Sequence, residues 1–380
     1  MSWDSCAGAL PDVVPAALRA LTEGRVSSAL STRAEPGTHR ILLWLIDGLG
    51  YDQVENALDF GLMPHTASLL ASGCAALRPI RTVFPSVTPV ALASLLTGSW
   101  PGRHGLVGRY VYHSPEIPWV DTLGRRANPA GFQLLEPTLD RETQRWHVPY
   151  QVIMEEGLRD GALTRILHPL TDRIATYVSP LALEPRLIEA ANDTQSGLVY
   201  AYWPHLDAVN HVRGPFSRDW SDEITMLDRV IGSLAAKSTL GGAPVWLWVV
   251  ADHGHQRVQT FLPYWQLRRQ MPELPVIPWG TDRMAGLALD GAAAQKLSRL
   301  AAQLFGDQVV LRPAEQLFAT GEMGPEVRPE VRGRLGNWLL ETVDGVVWAW
   351  DPDRQPQRAA NHGGRSAEEM TIPFLEIRLR

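Results

Sequence analysis

The sequence predicts an α/β protein: a mostly parallel central sheet sandwiched by helices, with a small α+β subdomain inserted late in the chain. Two observations carry this. Residues 41–46, 196–203 and 245–251 are apolar runs without alternation, the composition of strands buried on both faces. Amphipathic stretches with helical spacing stand between them, as parallel neighbours require.

In chain order, residues 1–39 form an entry segment with one helix at about 14–21, and the sheet begins at Arg40. Asp47 follows the first run at its carboxyl end, where open α/β sheets bind ligands. On this stretch alone, a cap for the next helix accounts for Asp47 as well as a functional role does. An amphipathic region interrupted at Pro64 reaches Ser72, and 74–83 reads as a strand. The stretch VFPSVTPVALASLLTG has helix-start grammar, with Thr88 as expected N-cap, Pro89 at the first helical position and Gly98 past the end. A strand is expected at 106–112, then a surface excursion over 114–147. The run 196–203 leads into a loop, WPHLDAVNHVRGP, and a helix at 217–236 with Trp220, Ile224, Leu227, Ile231 and Leu234 on one stripe. The run 245–251 again ends in charge, at Asp252 and His253. From 255 to 345 the pattern changes to short strands around a helix at 292–304, and 346–350 is expected to resume a core strand. Asn361, His362, Gly363 and Gly364 precede a capping box, Ser366 with Glu369, and a last strand at 371–379. The expected division is a catalytic core of 1–254 and 346–380, with 255–345 as a lid-like insert.

Apolar residues are 45% and charged residues 20% of 380, an ordinary globular balance. The net charge of -6 and the lack of a basic patch give no support for a nucleic-acid or membrane surface. Cys6 and Cys74 are the only cysteines, so neither a disulfide framework nor a cysteine-ligated metal organises the chain. Without an apparent signal peptide or an apolar run of membrane-spanning length, a soluble cytoplasmic protein is expected.

Asp47, Thr88, Asp207 with His211, Asp252 with His253, and His362 all flank expected strand ends or loops. Carboxylates mixed with imidazoles suit zinc or manganese better than magnesium or calcium. The Asp207-x-x-x-His211 spacing presents both side chains on one face if that loop closes into a helical turn.

The ordered set LIDGLG, FPSVTP, HGLVG, WPHLDAVNH, VVADHGH and NHGG closely resembles the alkaline phosphatase superfamily, in particular its type I phosphodiesterases and nucleotide pyrophosphatases. The resemblance spans roughly 40–255 and the tail after 345. It implies an alkaline phosphatase-like core and two divalent ions, usually zinc. Asp207, His211 and His362 would hold one; Asp47, Asp252, His253 and the Thr88 hydroxyl would hold the other, with Thr88 at the nucleophile position. His104, His205 and His255 match no ligand position and are expected to be structural or supporting. The chain departs from nucleotide-cleaving relatives after the nucleophile, where Pro89, Val90 and Ala91 replace the usual base-stacking Phe and phosphate-holding Asn. It also lacks, at Thr88-Pro89-Val90-Ala91-Leu92, the Cys or Ser followed by a Pro and an Arg that sulfatases need there. The expected function is a two-metal phosphodiesterase or nucleotide pyrophosphatase-like hydrolase that forms a phospho-threonine, with a small phosphate ester or nucleotide as substrate. Its rivals are a phosphomonoesterase or phosphonate hydrolase with the same site, and a non-catalytic scaffold. A monoester's extra charge calls for another cation, and Arg81 and Arg109 are the arginines that could meet it.

Overall fold

The computed structural model describes residues 6, 8–112, 120–124, 132–170, 172–238, 244–276, 278–352 and 358–379. Its centre is a seven-stranded sheet of β1 (Arg40–Ile46), β2 (Ala75–Arg81), β3 (Tyr150–Glu155), β4 (Ile174–Tyr177), β5 (Gly197–Trp203), β6 (Val245–Val250) and β7 (Thr371–Arg378), in the order β2-β7-β6-β1-β5-β3-β4. β1 runs parallel to both neighbours, and β3 to β4 and β5; only β7 is reversed, antiparallel to β2 and β6. Every residue of β1 and β6 is buried, which is why their apolar runs do not alternate.

Helices cover both faces. On one lie α1 (Val13–Leu21), α4 (Thr88–Thr97) and α5 (Ala162–Leu167); on the other, α2 (Tyr51–Asp59), α3 (Pro64–Ala71), α6 (Pro180–Asn192) and α8 (Arg218–Lys237). Ser217 caps α8 by accepting from the Trp220 amide at 3.2 Å, and the expected stripe of that helix is buried. The expected loop after β5 is instead a helix, α7 (His205–Arg213). Its polar residues disguise it, because few of its side chains are buried and the helix serves to present groups rather than to fill the core.

A second, six-stranded antiparallel sheet has the order Val309–Pro313, Trp338–Thr342, Met284–Leu287, Trp279–Thr281, Tyr110–Val111, Val120–Asp121. The strand expected at 106–112 is therefore only Tyr110–Val111. The described part of the expected surface excursion is not all superficial: Val120, Thr122, Leu139, Asp140 and Thr143 are buried, while 114–119 and 125–131 lie outside the described residues. Val346–Ala349, expected to resume a core strand, pairs instead with Thr260–Pro263 in a separate ribbon. Val346 and Trp348 join a second apolar core with Tyr264, Leu287, Leu297 and Leu340, so their apolar character reports that core and not the central one.

The two sheets are joined by a buried ion pair. Arg283, at the start of the Met284–Leu287 strand, donates to Glu369 within the Ser366 capping box that leads into β7. The two side chains are 2% and 0% exposed. Removing one partner leaves the other charge buried and unpaired. Arg283→Met is expected to lower stability by about 3–5 kcal/mol, read as a shift of the denaturation midpoint.

Candidate active site and metal centre

Because β5, β1 and β6 are adjacent and parallel, with Ile46 paired to Trp203 and Leu45 to Val250, their carboxyl ends open at one level. Asp47 and Asp252 follow two of these ends, and α7 brings in Asp207 and His211 after the third. The structure brings together all the residues singled out by sequence, in two adjoining groups that share Asp207. In the first, Asp207 Oδ1 lies 3.4 Å from His211 Nε2 and 3.6 Å from His362 Nε2. In the second, His253 Nε2 lies 3.5 Å from Asp47 Oδ1, 3.1 Å from Asp252 Oδ2 and 3.1 Å from Thr88 Oγ1. The His253 and His362 rings stack at 3.6 Å, joining the groups.

Thr88 is not the expected N-cap. The cap position belongs to Val87, with φ -131° and ψ 141°, and Thr88 is the first residue of α4. Its hydroxyl faces His253 instead of a backbone amide, at the positive end of the helix. The stability role that competed with a chemical one is therefore absent.

Two further residues join the cluster: His255, expected to be structural or supporting, and Tyr202, which sequence reading did not single out. His255 Nε2 lies 2.8 Å from Asp207 Oδ1, and His255 falls within the same candidate ligand group as His211 and His362. The available signal was its position two residues beyond His253, across Gly254, where the chain can turn back toward the strand ends. Tyr202 donates to Asp47 Oδ2; one more residue in a buried strand gives no such signal. Gly48, at φ +77°, makes room for this crowding: a Cβ there would meet His255 Nε2 at 2.8 Å and the Asp207 Cα at 3.0 Å. Of the other two histidines, His104 is buried against Ser94 at 2.8 Å, inside α4, and His205 packs on Trp203.

Backbone carbonyls orient three of the imidazoles. His211 Nδ1 lies 2.9 Å from the Ala360 carbonyl, His362 Nδ1 3.0 Å from that of Ser86, and His253 Nδ1 3.1 Å from that of Gly254. A carbonyl can only accept, so each Nδ1 carries the proton and each Nε2 turns a lone pair into the cluster. Asp47 Oδ1 and Asp252 Oδ2 are buried there with no hydrogen-bond partner. Lone pairs facing carboxylate oxygens repel unless positive charge lies between them, so the donor set fits divalent cations.

The electrostatics agree. Burial, then Asp252 and Asp207, push the Asp47 carboxyl well above the usual range. Burial holds His211 and His362 below the ordinary imidazole value and His255 down at about 4. Burial also opposes a charge on His253, but Asp252 and Asp207 outweigh it and raise that ring.

The family described as type I phosphodiesterase / nucleotide pyrophosphatase matches residues 41–303. No curated protein sequence matches the chain. Among solved structures, phosphonoacetate hydrolase from Sinorhizobium meliloti 1021, in complex with phosphonoformate, is similar with a TM-score of 0.69 at 18% identity, over 92% of this chain and 93% of that one. Murine ectonucleotide pyrophosphatase / phosphodiesterase 5 has a TM-score of 0.66 at 16% identity, over 89% and 87%. An inactive threonine-to-alanine variant of that murine protein, in complex with AMP, has a TM-score of 0.65 at 15% identity, over 89% and 88%. These likenesses show the alkaline phosphatase-like fold.

Ser86 holds the loop that carries His362. Its hydroxyl donates to the Gly364 carbonyl at 2.7 Å and accepts from the Gly363 amide at 3.2 Å. Ser86→Ala strands both groups in a buried place and is expected to cost about 1–3 kcal/mol. Faster amide exchange at Gly363, with the central strands unchanged, is the measurement that checks it.

Proposed function

Since the chain belongs to the type I phosphodiesterase / nucleotide pyrophosphatase family, whose members hydrolyse phosphate esters, we propose that it is a two-metal phosphodiesterase acting through a phospho-Thr88 intermediate. The observation that carries this reading is the Thr88 hydroxyl, 3.1 Å from His253 Nε2 and left free of any capping role. Asp207, His211 and His362 would hold one divalent ion, and Asp47, Asp252, His253 and Thr88 Oγ1 the other. Zinc or manganese bound there supplies Lewis acidity to an attacking hydroxyl and a departing oxygen. Thr88 Oγ1 bonds to phosphorus as the alcohol oxygen leaves, and water then cleaves the Thr88 phosphoester to release a monoester. Tyr202 and the three carbonyl-oriented imidazoles keep the reacting groups in register.

A preference for diesters is part of the proposal. Of the two arginines the sequence offers for a monoester's extra charge, Arg109 is bound to Asp121 at 3.2 Å and Arg81 lies over the Trp100 ring at 4.9 Å. No helix among the described residues is long and apolar enough to cross a membrane. A cytoplasmic location belongs to this proposal, as does the role of 255–345 in shaping what reaches the site.

Protein purified without chelator and supplied with zinc is expected to hold two ions by elemental analysis, and His362→Ala one fewer tightly bound. A folded preparation that takes up none sinks the mechanism. On bis-p-nitrophenyl phosphate, Thr88→Ala should lose turnover by orders of magnitude with little change in melting. Substantial residual activity rejects the nucleophile, and a wild type faster on p-nitrophenyl phosphate rejects the diester preference.

A further inference from the structure

Beside the metal cluster, on the face of the sheet covered by α4 and α5, lies a cleft of about 100 Å³. Two of its lining residues belong to the site's own elements. Leu92 is one helical turn beyond Thr88 on α4, so both occupy the same side of that helix. Tyr202 forms another part of the wall while its hydroxyl engages Asp47. From there the cleft runs between Met154, Leu163 and Leu123, the last 41% exposed at its outer end. Among the described lining residues there is no Lys, Arg, Asp or Glu. His168, also in the lining, is kept uncharged by burial, its pKa pushed down to about 4.

We infer that this cleft receives the organic group that remains on phosphorus during the reaction, and that this group is small and apolar. The inference rests on the proposed reaction for its orientation. Its walls include Leu92, one turn from Thr88, and Tyr202, whose hydroxyl engages Asp47, which puts it on the nucleophile's side, whereas an in-line displacement sends the leaving oxygen away from Thr88, toward Asp207, His211 and His362. A nucleotide's second phosphate or sugar hydroxyls would find no charged partner among the described walls, and desolvating them there is unfavourable. Alkyl surface is taken from water at no such cost. Since a cavity of about 150 Å³ holds a benzene ring, this one suits roughly three or four carbons.

The test separates this inference from the reaction on which it rests, because it reads binding. Methyl-, propyl- and hexylphosphonate, each carrying its alkyl group directly on phosphorus, are titrated calorimetrically into the zinc-supplied protein. Each buried methylene is expected to tighten binding about fourfold, hence on the order of tenfold from methyl to propyl, with no matching gain from propyl to hexyl. Leu163→Trp, which fills the cleft, should erase the methyl-to-propyl gain. Leu123→Asp, at an exposed position that folding tolerates, should reduce it by placing a charge at the mouth. Equal affinities across the series, no binding by any phosphonate, or an undiminished gain in both variants overturns the inference. A chain-length gain in a protein that hydrolyses no phosphate ester would instead sink the proposed reaction and leave the cleft as a binding site.

Discussion

The rest of the structure depends on three carboxylates that repel one another. Asp47, Asp252 and Asp207 meet because parallel strands β1, β5 and β6 are neighbours and end together. Nothing in the hydrophobic core asks for that encounter, and burial makes it costly, as the raised Asp47 pKa records. The fully buried strands beneath provide the excess stability against which such a cluster can be held. Bound cations would resolve the repulsion, and the remaining groups form a donor set that fits them.

The imidazoles show how little freedom that arrangement has. Three carbonyls on three separate segments fix three tautomers, and two of those carbonyls, Ala360 and Ser86, are distant in sequence from the histidines they orient. Ser86 both receives the His362 proton and ties down Gly363 and Gly364, so the loop before α4 and the loop before β7 position each other. The turn holding Pro85 and Ser86, just before Thr88, thus positions the candidate metal centre from outside it.

What could be read from the sequence follows a physical division. The continuous apolar runs of β1, β5 and β6 announced themselves because both faces are buried, and the charged residues at their ends stood out against that background. Asp47, Asp252 and His253 stand out for this reason, and Asp207 and His211 in the stretch after β5; Thr88 and His362 join them through the ordered motifs that resemble the family. The helical state of His205–Arg213 was hidden by its exposed, polar face, and the true cap of α4 by the fact that Val87 lacks a capping side chain. Tyr202 acts through tertiary proximity, which no local pattern encodes, whereas the position of His255 two residues beyond His253 is a local signal for its place beside Asp207. Trp348 illustrates the opposite error: an apolar run identified burial correctly but not the core in which it is buried.

The reversed strand β7 has a consequence for how the molecule is made. It lies between β2 and β6, so one edge of each stays unpaired on a growing chain until residues 371–378 have been synthesised. Both of those edges are template surfaces for other strands while they wait. His362 reaches the cluster on the segment immediately before β7, so closure of the sheet and completion of the Asp/His cluster are late events that occur together. A nascent chain stalled before that point therefore exposes open backbone edges without possessing a finished centre, and the cell meets an aggregation hazard before it gains a competent hydrolytic site.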